Sequence, residues 1–163
     1  MKSWSGKQIA SLDNLTNRQI YLQSGTADTV VGPNPMNQLK SQLSKLDDAA
    51  RVPFVTSSGA AHVFPTNFNG PREPSTSPYM CNCGYDGAGR VLKWMYGNLT
   101  AKNDGASTGT TVAFDQTGKN GAAGLDRTGY LYVPKACQTG AEPCKLPVTL
   151  HGWSQSHGQI GLK

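Results

Sequence analysis

The sequence predicts an α/β fold, with a mostly parallel sheet, flanking helices and a strand pair in the C-terminal half. Three observations carry that expectation. A strand-forming run, an amphipathic helix and a second strand-forming run succeed one another within residues 18–56; a second capped helix follows Asp86; and two short β-rich runs joined by a Gly-rich link lie beyond residue 110. Strand, helix, strand in that order is the signature of a parallel βαβ unit.

Taken in order, Arg18–Gln23 is rich in strand formers and is broken by Ser24–Asp28, so it predicts a strand ending in a loop. Pro33, Asn34 and Pro35 then open a helix, with Asn34 as cap and Pro35 at the first helical position. Met36, Leu39, Leu43, Leu46 and Ala50 recur at steps of three and four and predict one buried face. Val52–Thr56 reads as the next strand, and Ser57–Ala61 releases the chain into a loop carrying His62. Residues 65–85 show no periodicity and predict a long surface or rim loop. Asp86 caps a helix whose Ala88, Val91, Leu92 and Met95 share a face and which Gly97 ends. Thr111–Phe114 and Gly129–Val133 form the strand pair, and Lys145–Leu150 reads as a further strand running into His151 and Gly152.

The 163 residues suit one domain or a piece of one, and there are no internal repeats. The expected organisation is an acid/base half over 1–99, a connecting loop at 100–110, and a segment over 111–163 holding the strand pair and the strand before His151. Charged residues number only 25, against 46 Ser, Thr, Asn and Gln and 29 Gly and Pro, which excludes coiled coils and charged disordered tails. No apolar run approaches the roughly 18–20 residues that span a bilayer, and the N-terminus has no apolar leader core, so no membrane association and no secretion signal is expected in this stretch. The net charge of +5 comes from Lys and Arg scattered singly from Lys2 to Lys163, a solvated surface and not a nucleic-acid stripe. Cys137 and Cys144 bracket a turn and suggest a short disulfide loop, while a zinc site would need paired CxxC or His-rich spacing that is missing. Neither a metal nor another cofactor is expected. The sequons at Asn14 and Asn98 are compatible with secretion.

Chemistry in α/β enzymes sits on loops just after strand C-termini, and three features fall there. Asp28 lies in the loop after the first strand, His62 in the loop after the second, and His151 and Gly152 close the last. Alone, Asp28 serves equally as a turn cap, His62 as a packed or solvent-facing imidazole, and Gly152 as an ordinary turn residue. Together, an acid followed 34 residues later by a His, each closing a strand, gives the acid-then-base order of α/β-hydrolases. The nucleophile is the missing member. Gly105-Ala-Ser107-Thr-Gly109 matches the Gly-x-Ser-x-Gly pattern but has no apolar strand before it and no helix after it; Ser154 follows a strand but lacks the second Gly. Both read as surface serines. The oxyanion-like His151 and Gly152 come last in the chain, whereas an ordinary α/β-hydrolase places that strand before its serine. A circular permutation produces this reversal and puts the serine elbow before Asp28, hence before Met1.

The stretches at 1–6, 36–40, 61–66, 77–79 with Asn82 and Cys83, 85–89, 129–134 and 150–152 closely resemble the secreted fungal poly(3-hydroxybutyrate) depolymerases, circularly permuted α/β-hydrolases, over essentially the whole chain. The resemblance implies a partial α/β-hydrolase, the central fragment of an extracellular serine esterase that hydrolyses a short-chain polyester. It implies Asp28 as the acid, His62 as the general base and the backbone at Trp153 as an oxyanion donor. The expected partner is the polyester, with a monomer at full length. Where the family usually has Cys, this chain has Trp153. Cys83 matches a family cysteine whose upstream partner is missing from the short 70–74 loop, and Cys81 is expected not to replace it. Without the serine the chain alone is expected to be nearly inactive, and open strand edges to make it poorly soluble. Two other readings stay open: a feruloyl or acetyl cell-wall esterase of the same broad family, and a non-catalytic polymer-binding remnant.

Overall fold

A computed structural model describes residues 2–57, 59–67, 75–103, 105–119, 121, 123–141 and 143–161. The chain divides into two units, Met1–Thr100 with His151–Lys163, and Ala101–Leu150. The division falls at the head of the polar 100–110 stretch, but residues 151–163 cluster with the first unit and not with the strand pair, where the sequence had grouped them.

In the first unit, strand β1 (Leu22–Gly25) pairs in parallel with β2 (Phe54–Ser57), Leu22 opposite Phe54 and Gly25 opposite Ser57. Helix α1 (Pro33–Leu43) makes the crossover, completing the expected βαβ unit. Both strands are displaced toward the C-terminus of the predicted runs, because the preceding residues join by single hydrogen bonds, Ile20 N–H to Arg51 O and Leu22 N–H to Pro53 O, before the ladder becomes regular. α1 starts at Pro33 with Gly32 as its cap, two residues before the Asn34 cap that the sequence suggested. It also ends early. The Asp47 carboxylate accepts from Arg18 N–H at 3.0 Å and the Asp48 side chain caps a 3₁₀ turn at Ala49–Arg51, so Leu46 and Ala50 fall outside the helix. The expected buried face is only half buried: no residue of α1 is fully buried, and Leu39 is exposed.

The long 65–85 excursion is not wholly irregular. β3 (Phe64–Thr66) pairs in parallel with β4 (Met80–Asn82), and the Thr66 hydroxyl donates to Cys81 O at 2.9 Å. Strands of three residues, one with Pro65 at its centre, are too short to leave a periodicity. Cys81 bonds to Cys83, which corrects the expectation that Cys81 could not serve as its partner. Residues i and i+2 of an extended chain lie on the same face, which brings the two sulfurs together. These cysteines pack with Ala60 and Val63 as a small core; Leu22 and Val52 are also buried. α2 (Gly87–Tyr96) begins under the Asp86 side chain, which accepts from Gly89 N–H at 2.9 Å, and ends at Gly97 with φ +75°, as the sequence predicts.

In the second unit, β5 (Thr110–Asp115) and β6 (Thr128–Val133) form an antiparallel ribbon, the predicted strand pair. The Phe114 ring lies over Gly129 and the Tyr132 ring over Gly109, both glycines leaving room that a Cβ would fill. Cys137 and Cys144 are bonded, closing the predicted loop. Lys145–Leu150 is not a strand: it forms no ladder among the described residues, Pro147 lacking an N–H and no neighbouring strand lying alongside. The described strands make three two-stranded sheets, two of them parallel and one antiparallel; the mostly parallel sheet expected is not seen as a single sheet among the described residues.

Candidate functional site

Because β1 and β2 run side by side in the same direction, the loops that leave them emerge together. The backbone stitches these loops to each other. Thr26 N–H donates to Ser57 O at 3.0 Å, Ala27 N–H donates to Ala60 O at 2.9 Å, and Gly59 N–H donates to the Thr26 hydroxyl at 2.8 Å. Gly25 makes the approach possible, since a Cβ there would meet Ala60 O at 2.1 Å. One turn further along each loop stand Asp28 and His62.

The two meet at 3.0 Å, Asp28 Oδ2 to His62 Nδ1. The other carboxylate oxygen, Oδ1, accepts from Val30 N–H at 2.9 Å and Val31 N–H at 3.0 Å, so the carboxylate is fixed before it meets the imidazole. Asp28 is therefore a turn cap and a His partner at once, the two readings that the sequence left level. Burial pushes its pKa up, but the hydrogen bonds from His62 and from the N–H groups of Val31, Val30 and Gly32 outweigh this and hold it below the ordinary carboxylate range. His62 is anchored through its own N–H, which donates to the Ser75 hydroxyl at 3.0 Å. The Asp28 side chain is 9% exposed and that of His62 44%, so the pair has a covered carboxylate and an open imidazole. With Nδ1–H donating to the carboxylate, Nε2 carries the lone pair, and it takes no partner among the described residues. An oriented imidazole with a free outward nitrogen is equipped to take a proton from a hydroxyl and return it to a leaving group.

Trp153 lies in a tight turn from Gly152 to Gln155, with Gln155 N–H donating to Gly152 O and Ser154 at φ +58°. Trp153 is 94% exposed, and its backbone N–H makes no hydrogen bond among the described residues. Gln155, which sequence reasoning passed over, holds this turn: its Oε1 accepts from Gly152 N–H at 2.9 Å, and its Nε2 donates to Pro78 O at 3.2 Å. A lone Gln carries no sequence signal for such a role. The His151 ring turns to its own backbone, Nδ1 standing 2.8 Å from Gly152 O. Ser107 donates to the Tyr132 hydroxyl at 2.7 Å and precedes a strand instead of a helix, which accounts for it structurally. Two surface depressions lie elsewhere, one on the β5–β6 ribbon and one near Lys2 and Leu46. Among the described residues no group of three or more His, Cys, Asp or Glu side chains could hold a metal ion. No described helix is long and apolar enough to cross a membrane.

No family model matches the chain. It is 56% identical over 167 residues to a polyhydroxybutyrate depolymerase of Talaromyces funiculosus, covering 100% of this chain and 49% of that protein. It is 34% identical over 162 residues to a poly(3-hydroxybutyrate) depolymerase of Delftia acidovorans, covering 97% and 33%. The crystal structure of a PHB depolymerase from Penicillium funiculosum superposes with a TM-score of 0.90 at 55% identity, over 98% of this chain and 52% of that one. A Ser-to-Ala form of a PHB depolymerase complexed with an R3HB trimer superposes equally well. The chain thus spans about half the length of the fungal relative and a third of the bacterial one.

Proposed function

The chain belongs with the polyhydroxybutyrate depolymerases, matching about half the length of the fungal member, and from that premise we propose that it carries the acid–base half of a serine esterase acting on poly(3-hydroxybutyrate)-type polyester. The observation that carries the reading is the Asp28–His62 contact at 3.0 Å on a half-exposed imidazole whose other nitrogen takes no partner among the described residues. The finer architecture proposed is a circularly permuted α/β-hydrolase, whose nucleophile comes from polypeptide corresponding to the relatives' remaining length. The two disulfides support an extracellular setting.

In the proposed reaction a serine hydroxyl gives its proton to His62 Nε2 as its oxygen attacks the ester carbonyl. Asp28 stays ionised and stabilises the imidazolium. The negative charge on the tetrahedral carbonyl oxygen is met by backbone N–H groups, that of Trp153 among them, which has no partner among the described residues and lies in a turn braced by Gln155. His62 returns the proton to the departing alkoxide, and water, activated by the same nitrogen, releases the acid. No described serine donates to Nε2, so this chain alone should turn over very little.

The test is a fusion of this chain to the serine-bearing half of the Talaromyces relative, assayed on R3HB oligomers and on films of the polymer. Hydrolysis is expected, with a loss of about 10⁶-fold for His62→Ala and about 10⁴-fold for Asp28→Asn, as in other triads. A fusion that hydrolyses the oligomers undiminished by His62→Ala would overturn the reading.

A further inference from the structure

Gln155 joins two stretches that the proposed chemistry needs in register. In the parallel pairing of β3 with β4, Phe64 lies opposite Met80, so the residues two steps earlier on each side, His62 and Pro78, stand at the same end of that pair. The segment from Ser75 to Tyr79 is fastened twice to the His62 stretch and once to itself. The Ser75 hydroxyl accepts from His62 N–H at 3.0 Å, Tyr79 O accepts from Phe64 N–H at 2.7 Å, and Tyr79 N–H donates to Thr76 O at 2.6 Å. Within this braced segment, Pro78 O accepts from Gln155 Nε2 at 3.2 Å. The other end of the same amide, Oε1, accepts at 2.9 Å from the N–H of Gly152, the residue immediately before Trp153.

The turn that carries Trp153 has little support of its own. Ser154 sits at φ +58°, a left-handed conformation disfavoured for a residue with a Cβ, and the main-chain bond across the turn, Gln155 N–H to Gly152 O, is long at 3.3 Å. We infer that Gln155 is a positioning residue, which through Pro78 sets the Trp153 N–H against the His62 imidazole. Backbone donors stabilise an oxyanion because they stand in place before the charge develops. Both ends of the Gln155 amide are committed to main-chain partners, so its contribution is geometric: it fixes where the donor stands and leaves the binding of substrate to other groups. The inference rests on the esterase reading and deepens it.

The experiment uses the fusion to the serine-bearing half of the Talaromyces relative, carrying Gln155→Ala or Gln155→Met; the second keeps the length of the side chain and removes both polar ends. On R3HB oligomers each variant is expected to lose about 10- to 100-fold in kcat with KM changed less than about threefold, a smaller loss than the roughly 10²–10³-fold that follows removal of an oxyanion donor. In the 163-residue chain alone, the Gly152 amide is expected to exchange about tenfold faster in both variants than in wild type, while the amides of β1 and β2 keep their protection. An undiminished kcat, a loss that falls on KM alone, unaltered exchange at Gly152, or protection lost in β1 and β2 of both variants would overturn the inference. A parent fusion whose hydrolysis is absent, or indifferent to His62→Ala, would overturn the esterase reading and this inference with it, whereas the preceding results bear on Gln155 alone.

Discussion

Replacing Asp28 by Asn isolates what the carboxylate's charge contributes. The amide oxygen can still accept from Val30 and Val31 N–H, so the turn is kept; the charge-assisted bond to His62 Nδ1 at 3.0 Å is what disappears. A hydrogen bond to a charged group contributes about 1.5–3 kcal/mol, and with the imidazole 44% exposed, solvent screening brings the expected loss to about 1–2 kcal/mol at neutral pH. The sign of the pH dependence follows from the lowered folded pKa of Asp28. A carboxylate whose pKa is depressed by folding adds stability that is fully present above its unfolded value of about 3.9 and is lost as pH falls through the lower folded value. The gap between wild type and Asp28→Asn should therefore be present at about pH 5 and above and close progressively in stronger acid. Urea unfolding of both proteins at several pH values measures it. Equal midpoints at pH 7, or a gap that persists unchanged in acid, would refute the account of how this carboxylate is held.

Gly25→Ala should be among the most damaging single changes, because the new Cβ would lie 2.1 Å from backbone oxygen and the stitched loops would have to part; a loss of about 3 kcal/mol or more, seen as a collapse of soluble yield or of the urea midpoint, is expected. Asp86→Ala removes the cap of α2 and should cost about 1 kcal/mol by denaturant titration, with Asp86→Asn recovering most of it. Converting Cys137 and Cys144 to Ser opens a loop of sequence separation seven and should destabilise that region by about 2.5 kcal/mol, read as faster limited proteolysis between residues 134 and 145.

How much of this was legible in the sequence follows from the range of each signal. The helix under Asp86 and Gly97 is readable at both ends because caps are local chemistry, and the β5–β6 ribbon because two runs of β-branched and aromatic residues are joined by a Gly-rich link. The Asp28–His62 contact was legible only jointly: neither residue is informative alone, but an acid and a base closing adjacent parallel strands are delivered to the same end of a sheet. β3 and β4 were missed because three-residue strands are made by pairing and not by propensity. α1 was drawn too long because Leu46 and Ala50 continue its period, whereas the hydrogen bonds of Asp47 and Asp48 that end it reach Arg18 and Ala50. Lys145–Leu150 misleads for the opposite reason: its pattern suits a strand, but a pattern reports a face and not a partner, and it pairs with no strand among the described residues. Gln155 bridges 77 positions of sequence, a distance at which one chain without homologues carries no signal.

The main-chain stitching of the two loops has a consequence for how the molecule can vary. Thr26 and Ala27 register the acid against the base upstream of both side chains through main-chain bonds to Ser57 and Ala60, and the Thr26 hydroxyl adds one side-chain bond to Gly59, so the distance between carboxylate and imidazole is set largely by backbone atoms. The polypeptide beyond His62 can then lengthen, shorten or change its cysteines while the pair stays in register, provided a hydroxyl remains where Ser75 steadies the His62 amide. Diversity among such proteins should accordingly gather in the stretch after His62, and the few residues around Gly25 and Ala60 should be the ones a designer leaves untouched.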